Sequence, residues 1–238
     1  MRIAVISDVH GNLIALEAVL ADIRTQGADA ILALGDYLSG PFDPTGTAGL
    51  FLELAIPSVR GNHDRWVAEG REQDWPVDAL VRRMIEPKHR DWLAALPLNH
   101  VFEDEVFMCH GTPTADDVLW LDGVKPRGGV FQVTRAVIER EAEGFDYSVL
   151  LCGHSHLART LRLSDGRLVV NPGSVGLPLA LGSPDARYAL IEKHAGNWAV
   201  SFRALPYDHQ AAAAQANALG YERWATAVST GWSTARDL

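Results

Sequence analysis

Five short apolar runs punctuate the chain, Ile3 to Ile6, Ala30 to Leu34, Ile56 to Val59, Val106 to Met108 and Val149 to Leu151, and each leads straight into a polar cluster. Runs of this kind bounded by turn residues read as buried strands. The clusters are Asp8-Val9-His10, Gly35-Asp36, Gly61-Asn62-His63-Asp64, Cys109-His110-Gly111 and Gly153-His154-Ser155-His156. Their placement predicts that five carboxyl ends deliver polar side chains to one edge of a sheet.

After the first cluster, Leu13, Leu16, Leu20 and Ile23 recur at helical steps, with Asn12 placed to cap and Gly27 to stop a helix. The Ala30 strand, a loop with Pro41 and Pro44, and the apolar stretch Leu50 to Ile56 repeat the pattern. Such alternation predicts parallel strands with right-handed crossovers. From Arg65 to Leu98 the chain turns polar and tryptophan-bearing, with helical pieces broken at Pro76, Pro87 and Pro97. These residues read as a cap-like insertion, about 65–98, over the ligand edge of a single domain spanning 1–238.

Further on, Val101-Phe102 with Val106 to Met108, Leu161 to Leu163 with Leu168 to Val170, and Tyr188 to Ile191 with Trp198 to Phe202 read as hairpins. A helix is expected over Val130 to Glu143, and another over the tail from His209 to Val228, with Tyr221, Trp224 and Val228 on one face.

Bulk composition narrows the function classes. The 238 residues are 47% hydrophobic, enough for a substantial core, and carry a net charge of −9 with the acids dispersed. That charge argues against stable nucleic-acid binding. No apolar window reaches the ~18 residues of a membrane span. Two cysteines, Cys109 and Cys152, make no disulfide framework and fit a reducing, cytoplasmic setting. With the chain opening straight into a strand, no outward-targeting segment is expected.

The clusters carry the chemistry. Asp8 and His10, two positions apart in an extended segment, project to one side and can share an ion. Asp36 offers two oxygens that can bridge two ions, while Asn62, His110, His154 and His156 add neutral donors. Oxygen and imidazole without thiolate favour Mn, Fe, Ni or Zn, manganese first, over a structural zinc knot. Five of the nine histidines fall in these clusters, whereas His89, His100, His194 and His209 stand alone. Two ions ~3.5–4 Å apart can hold a bridging hydroxide, bring a water pKa toward ~7 and clamp phosphoryl oxygens. A phosphoester hydrolase follows. His63, beside Asn62 but apart from the other histidines, is free to protonate the departing alkoxide as general acid.

At this level of detail the chain resembles the calcineurin-like metallophosphoesterases, in particular their small stand-alone bacterial and archaeal phosphodiesterases. The resemblance runs from Asp8-Val9-His10-Gly11-Asn12 through Gly35-Asp36-Tyr37, Gly61-Asn62-His63-Asp64, His110-Gly111-Thr112 and Gly153-His154-Ser155-His156 to Asn171-Pro172-Gly173-Ser174-Val175-Gly176. It implies an α/β fold, a two-sheet β-sandwich flanked by helices in four α/β/β/α layers. It also implies that Asp8, His10, Asp36 and His156 hold one ion, that Asp36, Asn62, His110 and His154 hold a second, and that His63 is the acid.

Two departures matter. The protein serine/threonine phosphatases of that superfamily follow the bridging Asp with a second Asp and an Arg that steer the acid histidine and grip phosphate. Here the stretch reads Asp36-Tyr37-Leu38-Ser39-Gly40, which argues against phosphoprotein substrates. Relatives often carry an Arg after the proline of the Asn171 loop, where this chain has Pro178-Leu179.

Among lesser features, Arg65 reads as solvated rather than phosphate-binding. Trp66, Trp75, Trp92 and Trp120 read as packing, with base stacking the alternative. The Asn171 to Gly176 loop fits either a tight turn or amides aimed at phosphate, and Cys109 and Cys152 fit small buried fillers. The expected substrate is a small phosphodiester or a nucleotide. A phosphomonoesterase is the close rival, and a non-catalytic scaffold that retains the fold is the rival from another class. Pairing of chains into a homo-oligomer through the tryptophan-bearing insertion stays open.

Overall fold

The computed structural model describes residues 1–70, 75–125 and 129–232. Strands β1 (Arg2–Ile6) and β2 (Ala30–Ala33) pair in parallel, joined by helix α1 (Leu13–Gln26). Asn12 caps α1 by accepting the Ala15 N–H at 3.2 Å, and Gly27 ends it at φ 63°, a left-handed position suited to glycine. Both ends are where the sequence puts them.

Helices α2 (Pro44–Leu54), α3 (Asn62–Glu69), α4 (Pro76–Met84) and α5 (Pro87–Ala95) follow. Three of them start on proline, whose fixed φ and missing N–H suit the first helical turn. Residues 65–98 are thus largely helical, although 71–74 of that stretch lie outside the described residues. The expected strand Ile56 to Val59 shrinks to a single bridge, Ser58 to Ala33. Pro57 has no N–H with which to extend the ladder.

Strands β3 (Asn99–Phe102) and β4 (Val106–Cys109) form the first expected hairpin. The helix expected over Val130 to Glu143 is only half present. Val130 and Phe131, a β-branched and an aromatic residue, lie instead in β6 (Val130–Gln132), paired with β5 (Asp122–Val124), and α6 (Arg135–Glu141) begins after Thr134. Strands β7 (Val149–Leu151), β8 (Arg159–Arg162), β9 (Leu168–Asn171), β10 (Ala186–His194) and β11 (Asn197–Leu205) complete the sheets, with β8–β9 and β10–β11 antiparallel as expected. The tail is two helices, α7 (His209–Ala218) and α8 (Glu222–Thr230), because Gly220 turns left-handed at φ 82° between them.

One sheet has the order β11-β10-β1-β2 and the other β3-β4-β7-β9-β8. Alternation within each strand builds the layers. Ile3, Val5 and Leu32 of the first sheet meet Val106, Met108, Val149, Leu151 and Val170 of the second in a central core. Ala4, Ile6 and Ala33 face the other way onto α1 and α2, and Phe107, Cys109, Leu150 and Cys152 face outward onto Ile138 of α6 and Trp120. The order is helix, sheet, sheet, helix, and each fully buried Ile, Val or Leu stabilises it by roughly 1.5–3 kcal/mol. Among the described residues no helix is long and apolar enough to cross a membrane.

Candidate metal centre

The carboxyl ends of β1, β2, β4 and β7 open onto one edge, where the expected side chains meet. Asp8, His10 and His156 place one donor atom each within 4.8 Å of one another, and Asp36, His110 and His154 do the same. Asn62 is the first residue of α3, and its Oδ1 is buried without a hydrogen-bond partner.

The backbone bends sharply to achieve this. Asp8, His10, Asp36, His154 and His156 all have positive φ, between 51° and 66°. Left-handed backbone at a non-glycine residue is strained, and it persists only where the surroundings enforce it. Hydrogen bonds between loops enforce it here: Asp8 N–H donates to the Gly35 carbonyl and His10 N–H to the Asp36 carbonyl, each at 3.0 Å. Asp64 adds a staple, its carboxylate accepting the N–H groups of Asp36 and Gly61 at 2.8 Å and of Tyr37 at 2.9 Å. The approach is so close that a Cβ on Gly61 would stand 2.1 Å from Asp36 Oδ1.

Ring orientation follows from the other imidazole nitrogen. The Nδ1–H groups of His10, His110 and His156 donate to the carbonyls of Ser39 at 2.6 Å, Leu34 at 2.7 Å and Leu177 at 2.6 Å. Each Nε2 then faces the other donors of the centre. Nε2 of His10 and of His156 confront each other at 3.1 Å, and His110 Nε2 stands 3.1 Å from Asp36 Oδ2. Both carboxylate oxygens of Asp8 and Asn62 Oδ1 are buried without hydrogen-bond partners. Unpaired buried acceptors crowded together are unfavourable, and this donor set suits divalent cations. Electrostatics reflects the crowding. Burial opposes charge on His110, yet Asp36 and Asp8 raise its pKa to about 10, whereas burial and the neighbouring His110 push His154 down to about 3.

His63 stands apart from the two ligand trios. Its Nδ1–H donates to the Asp78 carboxylate, 2.9 Å from Oδ1 and 3.1 Å from Oδ2. Burial disfavours its charged form, but Asp36 and Asp78 hold its pKa above the ordinary value. Asp78 is fully buried on α4 and also accepts the Ser39 hydroxyl. Sequence reasoning missed it, having looked for a steering carboxylate only after Asp36. The available signal was a carboxylate at a core position, between Val77 and Val81 of an amphipathic helix.

Several lesser readings change. Arg65 is neither solvated nor at the centre, since Asp116 holds it with hydrogen bonds of 2.6 and 2.9 Å. Trp92 stacks on Phe51 and Trp120 donates to the Ile138 carbonyl, so both pack. Trp66 and Trp75 instead line a cavity of about 270 Å³ together with His63 and Trp224 of α8. The Asn171 loop spends its amides on the fold, with Val175 and Gly176 N–H donating to the carbonyls of Ser7 and Asp8. Cys109 and Cys152 are free and buried, as fillers should be.

Residues 1–196 match the calcineurin-like phosphoesterase superfamily domain. An uncharacterised protein of Methanocaldococcus jannaschii is 30% identical over 218 residues, 80% of this chain and 82% of that protein. A metallophosphoesterase from Sphaerobacter thermophilus has a similar structure, with a TM-score of 0.78 at 28% identity over 98% of this chain and 100% of that one. A hypothetical protein from Pyrococcus horikoshii OT3 shares the fold, with a TM-score of 0.78 at 20% identity, covering 98% and 99% of the two chains. The matched domain takes in the whole oxygen-and-imidazole centre, and the chain belongs to the calcineurin-like phosphoesterase superfamily.

Proposed function

We propose that the protein is a metal-dependent phosphodiesterase of small phosphodiesters. The observation that carries this reading is the convergence of oxygen and imidazole donors in two buried trios, Asp8, His10, His156 and Asp36, His110, His154, with both Asp8 oxygens and the nearby Asn62 Oδ1 left without hydrogen-bond partners. Asp8, His10, Asp36 and His156 would hold one ion and Asp36, Asn62, His110 and His154 the second, so Asp36 would serve both. Two divalent ions, manganese first, supply Lewis-acid polarisation of the phosphoryl group and an activated water.

The chain's own residues do the rest. His63 gives its Nε2 proton to the departing oxygen, and Asp78 holds the ring by its Nδ1–H so that the proton points into the cavity. The Ser39 hydroxyl, donating to Asp78, fixes that carboxylate in turn. Trp66, Trp75 and Trp224 give the cavity an apolar wall beside His63.

Diesters are favoured over monoesters by charge. A monoester carries one more negative charge, and the described cavity lining contains no Lys or Arg. Arg65, the near candidate, is committed to Asp116. The test is reconstitution with Mn, elemental analysis, and turnover of bis(4-nitrophenyl) phosphate against 4-nitrophenyl phosphate. Two ions per chain and diester preference are expected. A monoester preference above about tenfold in kcat/KM overturns the diester assignment, and neither metal nor turnover overturns the hydrolase.

A further inference from the structure

We infer that the substrate's leaving group is a flat, uncharged aromatic ring, seated against Trp66 and Trp75 beside His63. The inference rests on the hydrolase reading and narrows it, because small phosphodiesters in general include sugar and alkyl esters that this wall does not suit.

The wall is uniform in chemistry. Beyond the candidate ligands and His63, the described lining of the 270 Å³ cavity is apolar throughout, led by Trp66, Trp75 and Trp224 with Val77, Leu177 and Leu179. Apart from the indole N–H groups, such a lining offers no side-chain hydrogen-bond partner for a ribose or a second phosphate. Polar groups buried there would lose water without compensation.

Position decides which part of the substrate lies there. Trp66 and Trp75 both meet the His63 ring in edge geometry, with centroids 4.9 and 5.9 Å away and interplanar angles of 72°. The oxygen that takes the His63 proton belongs to the leaving group, so that group lies against the same two indoles. Aromatic rings pair well in offset and edge arrangements. Trp75 is 46% exposed, a large apolar surface that nothing in the described chain covers, at the start of the helix that carries Asp78. A bound ring covers it.

Size sets the limit. A benzene-sized ligand fills a cavity of roughly 150 Å³, so about 270 Å³ holds one ring with the phosphoryl group and a small second ester.

The test compares binding of monomethyl phenylphosphonate and monomethyl methylphosphonate to the Mn-loaded protein by calorimetry. The two probes share one charge and differ only in phenyl against methyl. The phenyl compound should bind at least about tenfold more tightly, and Trp75→Ala should bring that ratio below about threefold. Trp66→Ala should do the same, which guards against one variant that fails to fold. Equal affinities, or a phenyl preference that survives both substitutions, overturn the inference. Turnover of bis(4-nitrophenyl) phosphate on the same sample separates the two readings. Turnover without phenyl preference overturns the aromatic wall alone, and phenyl preference without turnover supports the wall while overturning the hydrolysis.

Discussion

Replacing Asp78 by Asn tests the acid assembly most sharply, because it changes one atom type in a buried side chain and leaves both ligand trios untouched. In the native protein the carboxylate accepts the His63 Nδ1–H at 2.9 and 3.1 Å and the Ser39 hydroxyl as well. An amide keeps one acceptor oxygen and brings an NH₂ that His63 and Ser39 compete to avoid, so the ring loses its fixed tautomer. A hydrogen bond to a charged group contributes about 1.5–3 kcal/mol, which translates into about 10- to 150-fold in rate if felt wholly in the transition state. The loss should fall on esters whose leaving groups need a proton. Diphenyl phosphate should lose about that much in kcat, while bis(4-nitrophenyl) phosphate, with a far better leaving group, should change roughly threefold or less. Metal content should hold at the native value. In a His63→Ala background Asp78→Asn should add nothing, since the carboxylate then has no ring to orient. Uniform slowing of both esters, metal loss, or additive effects in the double variant would refute the positioning role.

Asp36→Asn should lower the Mn stoichiometry at both positions together, read by elemental analysis, and loss of a single ion would argue against a bridge. Gly61→Ala forces a Cβ to within 2.1 Å of Asp36 Oδ1, so metal affinity should fall by at least about tenfold in a chelator competition, and unchanged affinity would show that the two loops can part. Asp116→Asn should cost about 1–3 kcal/mol of stability at pH 7 by urea unfolding, because the carboxylate pairs with Arg60 and Arg65. Burial works to raise the Asp116 pKa, but the two guanidiniums outweigh it and hold the value below normal. A depressed folded value means stability that is present above the unfolded pKa of about 3.9 and lost as pH falls through the folded one. The gap between native and variant protein should therefore close below about pH 4, and a gap that widens there would reverse the assignment.

The convergence of the candidate ligands was legible from the chain because each follows an apolar run, and strand ends sharing an edge is a topological rule independent of side-chain detail. Elements with strong local signals were legible too: Asn12 and Gly27 bracket α1, and hydrophobic alternation marks the three hairpins. Failures occurred where local chemistry is ambiguous. Val130 to Gln132 fits a helical stripe as well as a strand, and only the pairing with Asp122 to Val124 decides it. Asp78 and Trp224 were illegible as site residues because their helices reach the centre only through tertiary packing.

Ligand backbone shows the same limit from the opposite side. Propensity assigns left-handed positions to glycine, yet Asp8, His10, Asp36, His154 and His156 all occupy them. Each such residue costs of order 1–3 kcal/mol, and the folded chain bears it only because neighbouring loops are bonded to one another across the edge. Glycines next to the ligands make that bonding geometrically feasible: Gly35 and Gly61 let two loops touch, where a Cβ on Gly35 would stand 2.5 Å from the Gly61 nitrogen. Gly35 and Gly61 therefore serve the backbone beside the candidate ligands, while Asp8, His10, Asp36, His154 and His156 take the strained conformation. A sequence rule that reads strain only at glycine misses the centre's geometry even where it points to the residues that converge there. The conflict between local preference and global fold is then itself a marker of where the chemistry lies.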